Sequence, residues 1–143
     1  MKINKVVVIG SGTMGSGIAA QLCNANVPVT LLDLTTEISE KARERIDIKH
    51  NIYEKIFKER KKGSIVSSNT SSIPIKVLSE KLSNEEKKDF CITHFFNPVR
   101  YMDLLEIVKN ENNDLEQINS LKNFCEKDLG KGTLICNDTP GFL

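Results

Sequence analysis

Two groups of residues in this chain have the types and spacing for chemistry. The first is Gly10-Ser11-Gly12-Thr13-Met14-Gly15, a G-x-G-x-x-G string at the end of an apolar run. Gly10 permits a tight turn, Gly12 lets a pyrophosphate approach the backbone, and Gly15 lets helix and strand pack closely. The helix that follows offers unpaired N–H groups and a positive dipole end to phosphates. Asp33, at the end of the next apolar run, can accept hydrogen bonds from ribose hydroxyls and repels a 2′-phosphate. The pair therefore reads as half a dinucleotide site, for NAD rather than NADP. The alternative is a plain tight turn and a solvated strand-end acid. The second group is His94, in His94-Phe95-Phe96-Asn97-Pro98, and Glu106, inside Leu104-Leu105-Glu106-Ile107-Val108. A carboxylate in an apolar strand needs a partner. Paired with His94, it would orient the imidazole and favour its charged form, as a general base requires. The alternative is a core histidine with its hydrogen bonds satisfied. His50, between Lys49 and Asn51, reads as a surface residue.

The elements that must carry these groups follow from the apolar pattern. Val6 to Ile9 is a continuous apolar run, as in strands buried on both faces. Met14, Ile18, Ala19, Leu22 and Cys23 recur at helical spacing, and Val27 to Leu32 is a second strand. A strand, a helix and a strand in that order predict a parallel pair. Glu37 to Lys62 reads as helix stopped by Gly63, with an apolar stripe that changes phase. Ile38, Ala42 and Ile46 form one line; Ile48, Ile52 and Ile56 form another. A broad or bent helix would show this, and so would two helices joined by a deletion. A short strand (Ser64 to Ser68), a serine-rich loop and a helix (Ile75 to Leu82) come next. Strands over Phe90 to Phe96 and Leu104 to Val108 carry the histidine and the acid. Leu115, Ile118, Leu121, Cys125 and Leu129 mark a helix, and Thr133 to Cys136 a last strand.

Composition narrows the function classes. The 143 residues are 39% hydrophobic and 27% charged, enough for one core. A formal charge of +1 does not suggest nucleic acid as a partner. No apolar run has the length of a membrane span. The N-terminal residues enter a strand with no cleavage-site pattern, so the expected setting is cytoplasmic. Cys23, Cys91, Cys125 and Cys136 form no C-x-x-C pair and lie in apolar periodic segments. They read as small buried hydrophobes, not metal ligands or disulfides.

Gly10 to Gly15, Ser68-Asn69-Thr70-Ser71-Ser72, His94 to Pro98, Leu105-Glu106 and Asp138-Thr139-Pro140-Gly141-Phe142 together resemble the L-3-hydroxyacyl-CoA dehydrogenases, in the same order. The HFFNP and DTPGF strings are far more specific than the glycine loop. The resemblance implies a Rossmann-like, doubly wound, mainly parallel α/β sheet, with residues 1–143 forming a single truncated NAD-binding domain. It implies NAD-dependent oxidation of a 3-hydroxyacyl-CoA to a 3-ketoacyl-CoA, a β-oxidation step. His94 would take the hydroxyl proton, Glu106 would hold His94, and Ser71 would hydrogen-bond near the substrate oxygen and the nicotinamide. Asn69, Glu44 and Lys49 match positions near the cofactor; a turn residue and a solvated helix face are the plain alternatives. The loop residues Gly10, Ser11, Gly12, Thr13, Met14 and Gly15 and the acid Asp33 complete the implied site. Three departures stand out. The stretch from Thr35 to Arg45 bridges a gap where family members carry further helix and strands, so the sheet should be incomplete. The family's helical domain and an asparagine after the DTPGF string are not in this sequence, and a partner chain supplying that domain is expected. Two functional readings follow: a 3-hydroxyacyl-CoA dehydrogenase, or a non-catalytic remnant that at most binds NAD.

Overall fold

The computed structural model describes residues 2–33 and 42–139. β1 (Val6–Ile9) leads into α1 (Thr13–Asn24) and β2 (Val29–Leu32). β1 and β2 pair in parallel, Val6 beside Val29 and Ile9 beside Leu32, as expected of a short strand–helix–strand unit. α2 (Ala42–Glu59) follows; the side chains of residues 42–45 and the expected helix start at Glu37 lie outside the described residues. Of the two apolar stripes foreseen there, Ile56 packs into the core, whereas Ile38 and the Ala42 side chain are not described.

β3 (Val66–Ser68), α3 (Ile75–Leu78), α4 (Asn84–Lys88), β4 (Phe90–Phe95), β5 (Leu104–Val108), α5 (Leu115–Lys127) and β6 (Gly132–Cys136) complete the order. β3, β4, β5 and β6 form a second sheet in that sequence. β3–β4 and β5–β6 are parallel, and only β4–β5 is antiparallel. α3 is a single turn, shorter than the run to Leu82 predicted. Its first N–H groups, of Ile75 and Lys76, donate to the Asp138 carboxylate at 2.8 and 3.2 Å. α4 was not foreseen, because its sequence carries no apolar stripe. Ser83 and Glu86 form a reciprocal capping box that fixes it instead.

The β3–β6 sheet is covered on both faces. Cys91, Phe95, Leu105 and Ile107 pack with α5 and with Met14, Ile18 and Leu22 of α1. Phe90, Ile92, Val108 and Cys136 pack with Tyr53, Ile56 and Phe57 of α2 and with Ile75 and Leu78 of α3. This is a Rossmann-like arrangement, but incomplete. Among the described residues no strand links β1 to β3, so the sheet is split into two-stranded and four-stranded parts.

Candidate active site

The glycine loop is built as its sequence requires. Gly10 has φ +105°, a conformation that side chains disfavour, and its N–H donates to the Leu32 carbonyl at 2.7 Å. A Cβ on Gly15 would lie 1.8 Å from the Gly10 carbonyl oxygen, so only glycine fits there. A Cβ on Gly12 would meet nothing within 4 Å, leaving open space in front of the backbone. Gly12 is also the N-cap of α1. No side chain caps that end and no acid sits in its first turn. An uncapped helix N-terminus behind an open glycine is a cradle for a pyrophosphate. The donor set thus fits a dinucleotide. Thr13 and Met14 open the helix, and Ser16 Oγ donates to the Ser11 carbonyl at 2.7 Å, holding the turn. Ser11 Oγ donates to the Asp33 carboxylate across the ends of β1 and β2. That contact draws the acid toward the loop.

His94 and Glu106 stand directly opposite each other in the antiparallel β4–β5 register, with side chains on one face. Nδ1 of His94 donates to Oε2 of Glu106 at 2.7 Å. A carboxylate is acceptor-only, so Nδ1 carries the proton and Nε2 is the lone-pair nitrogen in the neutral ring. The His94 side chain is 15% exposed and that of Glu106 only 1%. The acid is thus enclosed while the imidazole reaches the surface. Cys136 on β6 packs beneath the acid, its thiol donating weakly to the other carboxylate oxygen at 3.9 Å. The Phe96 ring lies 4.6 Å from the imidazole, centroid to centroid.

Three further contacts set this strand end. Asn69 Oδ1 accepts from the Phe95 N–H at 2.8 Å, tying the loop after β3 to the residue beside His94. Tyr53 on α2 donates to Ser68 Oγ at 2.9 Å, and burial raises the tyrosine pKa despite that bond. Buried Lys131 donates to the carbonyls of Val99 and Met102, at 2.5 and 2.8 Å, and so clamps the connection between β4 and β5. Burial lowers the pKa of that lysine. Sequence reading missed Lys131; a lysine directly after a helix-stopping glycine looks solvated until the fold closes over it. The start of α1 packs against the connection between β4 and β5. A Cβ on Gly17 would come within 3.1 Å of Val99 Cγ2, four residues beyond Phe95.

Ser71 is exposed in the loop after β3, and no described contact joins it to His94 or to the glycine loop. Glu44 lies on α2, but its side chain is outside the described residues. Lys49 is half-buried on α2, with its pKa lowered by burial. His50 is not the surface residue expected. It is 6% exposed, and its Nε2 lies 2.9 Å from the Val77 carbonyl. Its neighbours in sequence are charged, but its face of α2 packs on α3. Cys23 is exposed, contrary to the reading of all four cysteines as buried; Cys91, Cys125 and Cys136 are buried and free. Among the described residues no group of His, Cys, Asp and Glu could hold a metal, and no helix is long and apolar enough to cross a membrane.

The family description "3-hydroxyacyl-CoA dehydrogenase, NAD binding domain" matches this chain over residues 5–47 and 37–139. A probable 3-hydroxyacyl-CoA dehydrogenase of Deinococcus radiodurans is 35% identical over 193 aligned positions, covering 100% of this chain and 56% of that protein. A putative fatty acid oxidation complex trifunctional enzyme of Rickettsia felis is also 35% identical, over 99% of this chain and 27% of its own length. The chain therefore spans about half of one relative and about a quarter of the other. Among solved structures, M. tuberculosis FadB2 superposes with a TM-score of 0.86 at 23% identity, over 100% of this chain and 67% of that one. The Ralstonia eutropha (S)-3-hydroxybutyryl-CoA dehydrogenase PaaH1 gives 0.82 at 23%, over 99% and 66%. These two similarities speak for the fold.

Proposed function

The chain belongs to the NAD-binding domains of the 3-hydroxyacyl-CoA dehydrogenase family, and from that premise we propose that it oxidises L-3-hydroxyacyl-CoA to 3-ketoacyl-CoA with His94 as general base. The observation that carries this reading is the His94–Glu106 hydrogen bond at 2.7 Å, made across one rung of the β4–β5 ladder. It gives the imidazole a fixed tautomer with Nε2 as the proton acceptor. Bound NAD would supply the hydride acceptor for C3 of the substrate. The residues of this chain do the rest. Gly12 and the open N-terminus of α1 receive the pyrophosphate, and Asp33 accepts from the adenosine ribose. Nε2 of His94 takes the hydroxyl proton, and the enclosed Glu106 stabilises the imidazolium that results. Ser71, Asn69, Glu44 and Lys49 belong to the same reading through their place in the motif order; Asn69 acts at least by fixing the backbone beside His94. Four free thiols suit a reducing, cytoplasmic setting. A partner supplying the helical part of the longer relatives would close the acyl-CoA site.

One observation favours the second reading, a non-catalytic remnant that at most binds NAD. Among the described residues the sheet is split between β1, which leads into the cofactor loop, and β3. An NADH-linked assay with acetoacetyl-CoA, run beside a calorimetric NAD titration, separates the two. Turnover supports the dehydrogenase. Saturable NAD binding with no turnover selects the remnant. Folded protein that binds no NAD overturns the dehydrogenase and is consistent only with the remnant.

A further inference from the structure

The two halves of the sheet end in open edges. β1 pairs only with β2, and β3 only with β4, among the described residues. The two parts of the sheet border one core, since Val6, Val8 and Ile65, the residue before β3, pack against the same buried cluster. The faces of β1 and β2 are also unequal. Val6, Val8, Val29 and Leu31 share the α1 side; the first three are partly buried there, and Leu31 at the strand end is 41% exposed. Val7, Ile9 and Leu32 share the opposite face and are 51%, 38% and 48% exposed. Parallel strands are stable with both faces covered, and an unpaired edge invites another strand. One strand between β1 and β3 would complete both ladders, and one helix above it would cover the bare face.

The longer relatives carry positions here that this chain does not. The D. radiodurans relative needs 193 aligned positions for these 143 residues, so about fifty of its positions face a gap. The two stretches matching the family description both include residues 37–47, which places the seam between β2 and the body of α2. About fifty residues suffice for a strand and a helix, whose mean lengths are about 5–6 and 11–12 residues. A superposition spanning the whole chain at a TM-score of 0.86 matches both parts of the sheet to one fold.

We propose that the open edges of β1 and β3 and the Val7–Ile9–Leu32 face receive a strand–helix segment from a second polypeptide, one carrying the positions this chain lacks. The strand adds backbone hydrogen bonds to both edges, and the helix buries the three apolar side chains. The contact needs neither cofactor nor substrate, so it stands apart from the catalytic reading.

The test uses a synthetic peptide spanning the gap-facing positions of the D. radiodurans relative, labelled for fluorescence anisotropy. The expected result is a saturable one-to-one complex, with a fall in the fluorescence of a dye bound to exposed apolar surface. A scrambled peptide should bind at least about tenfold more weakly. Val7→Lys and Leu32→Lys change only exposed side chains; each should weaken the complex by about tenfold or more without moving the Tm. No complex, equal binding of the scrambled peptide, or unchanged affinity in both lysine variants would overturn the proposal. So would a stable dimer of this chain whose β1 amides are protected from hydrogen exchange without peptide.

Discussion

Gly12 and Gly15 are three residues apart, yet they carry different loads, and substitution separates them. Gly15→Ala puts a methyl group 1.8 Å from the Gly10 carbonyl oxygen, so the turn must move. It should lower stability by about 1–3 kcal/mol, read from a urea midpoint, and abolish NAD binding. Gly12→Ala meets nothing in the folded chain and should leave the midpoint unchanged. It should still abolish NAD binding by calorimetry, because the methyl occupies the space of the pyrophosphate. Loss of stability in Gly12→Ala, or retained NAD binding in it, would contradict the cradle. Asp33→Asn removes a charge that accepts from ribose and repels a 2′-phosphate. NAD should weaken by about tenfold or more, and the preference over NADP should narrow, in parallel titrations of the two cofactors. Glu106→Gln keeps the volume but not the charge opposite His94. It should lower kcat by about 100-fold or more with NAD affinity unchanged, since the loop is built from other elements.

Elements position these residues through contacts far apart in sequence. Asn69→Ala would strand the Phe95 N–H, which the Asn69 side chain now satisfies. It should cost about 1–3 kcal/mol by urea denaturation, and more than the substitution of an exposed neighbour such as Ser72. β4 and β5 were legible in the sequence because strands enclosed by helices are written as apolar runs; β1 carries the same kind of run, but it is not buried on both faces as expected, since Val7 and Ile9 are exposed. The glycine loop was legible because each of its glycines has a steric or backbone reason. The His94–Glu106 pair was legible because an acid inside Leu104–Val108 demands a partner, and His94 supplies it across the ladder. Other features were hidden for equally physical reasons. The start of α3 is held by Asp138, 63 residues from Ile75. α4 rests on a capping box in a polar segment. His50 is buried because of where α2 lands on α3, which its flanking charges do not reveal.

Over the whole molecule, the buried thiols give a pH dependence of known sign. Burial pushes Cys91 and Cys125 from 9.0 up to about 12 in the folded chain. In the unfolded chain they ionise near their ordinary value, so between about pH 9 and 12 the unfolded state binds fewer protons. Stability should be fully present below pH 9 and fall as pH rises through that window, in urea titrations at stepped pH. In the native state at neutral pH, Cys23 should be the one thiol to react quickly with a disulfide reagent, and all four should react in urea. A flat stability profile above pH 9 would mean the two thiols are not enclosed as described. The split sheet bears on the same scale, since it lies between the cofactor loop and the strand of His94. A displacement of about 1 Å between them can cost on the order of 100-fold in rate. The most direct test is therefore steady-state oxidation of NADH by acetoacetyl-CoA, comparing the chain with its His94→Gln variant at saturating NADH. The expected result is measurable turnover that falls by about 100-fold or more in the variant, with NADH affinity unchanged. Equal rates in the two proteins, or no turnover from folded protein that binds NADH, would contradict His94 as the base.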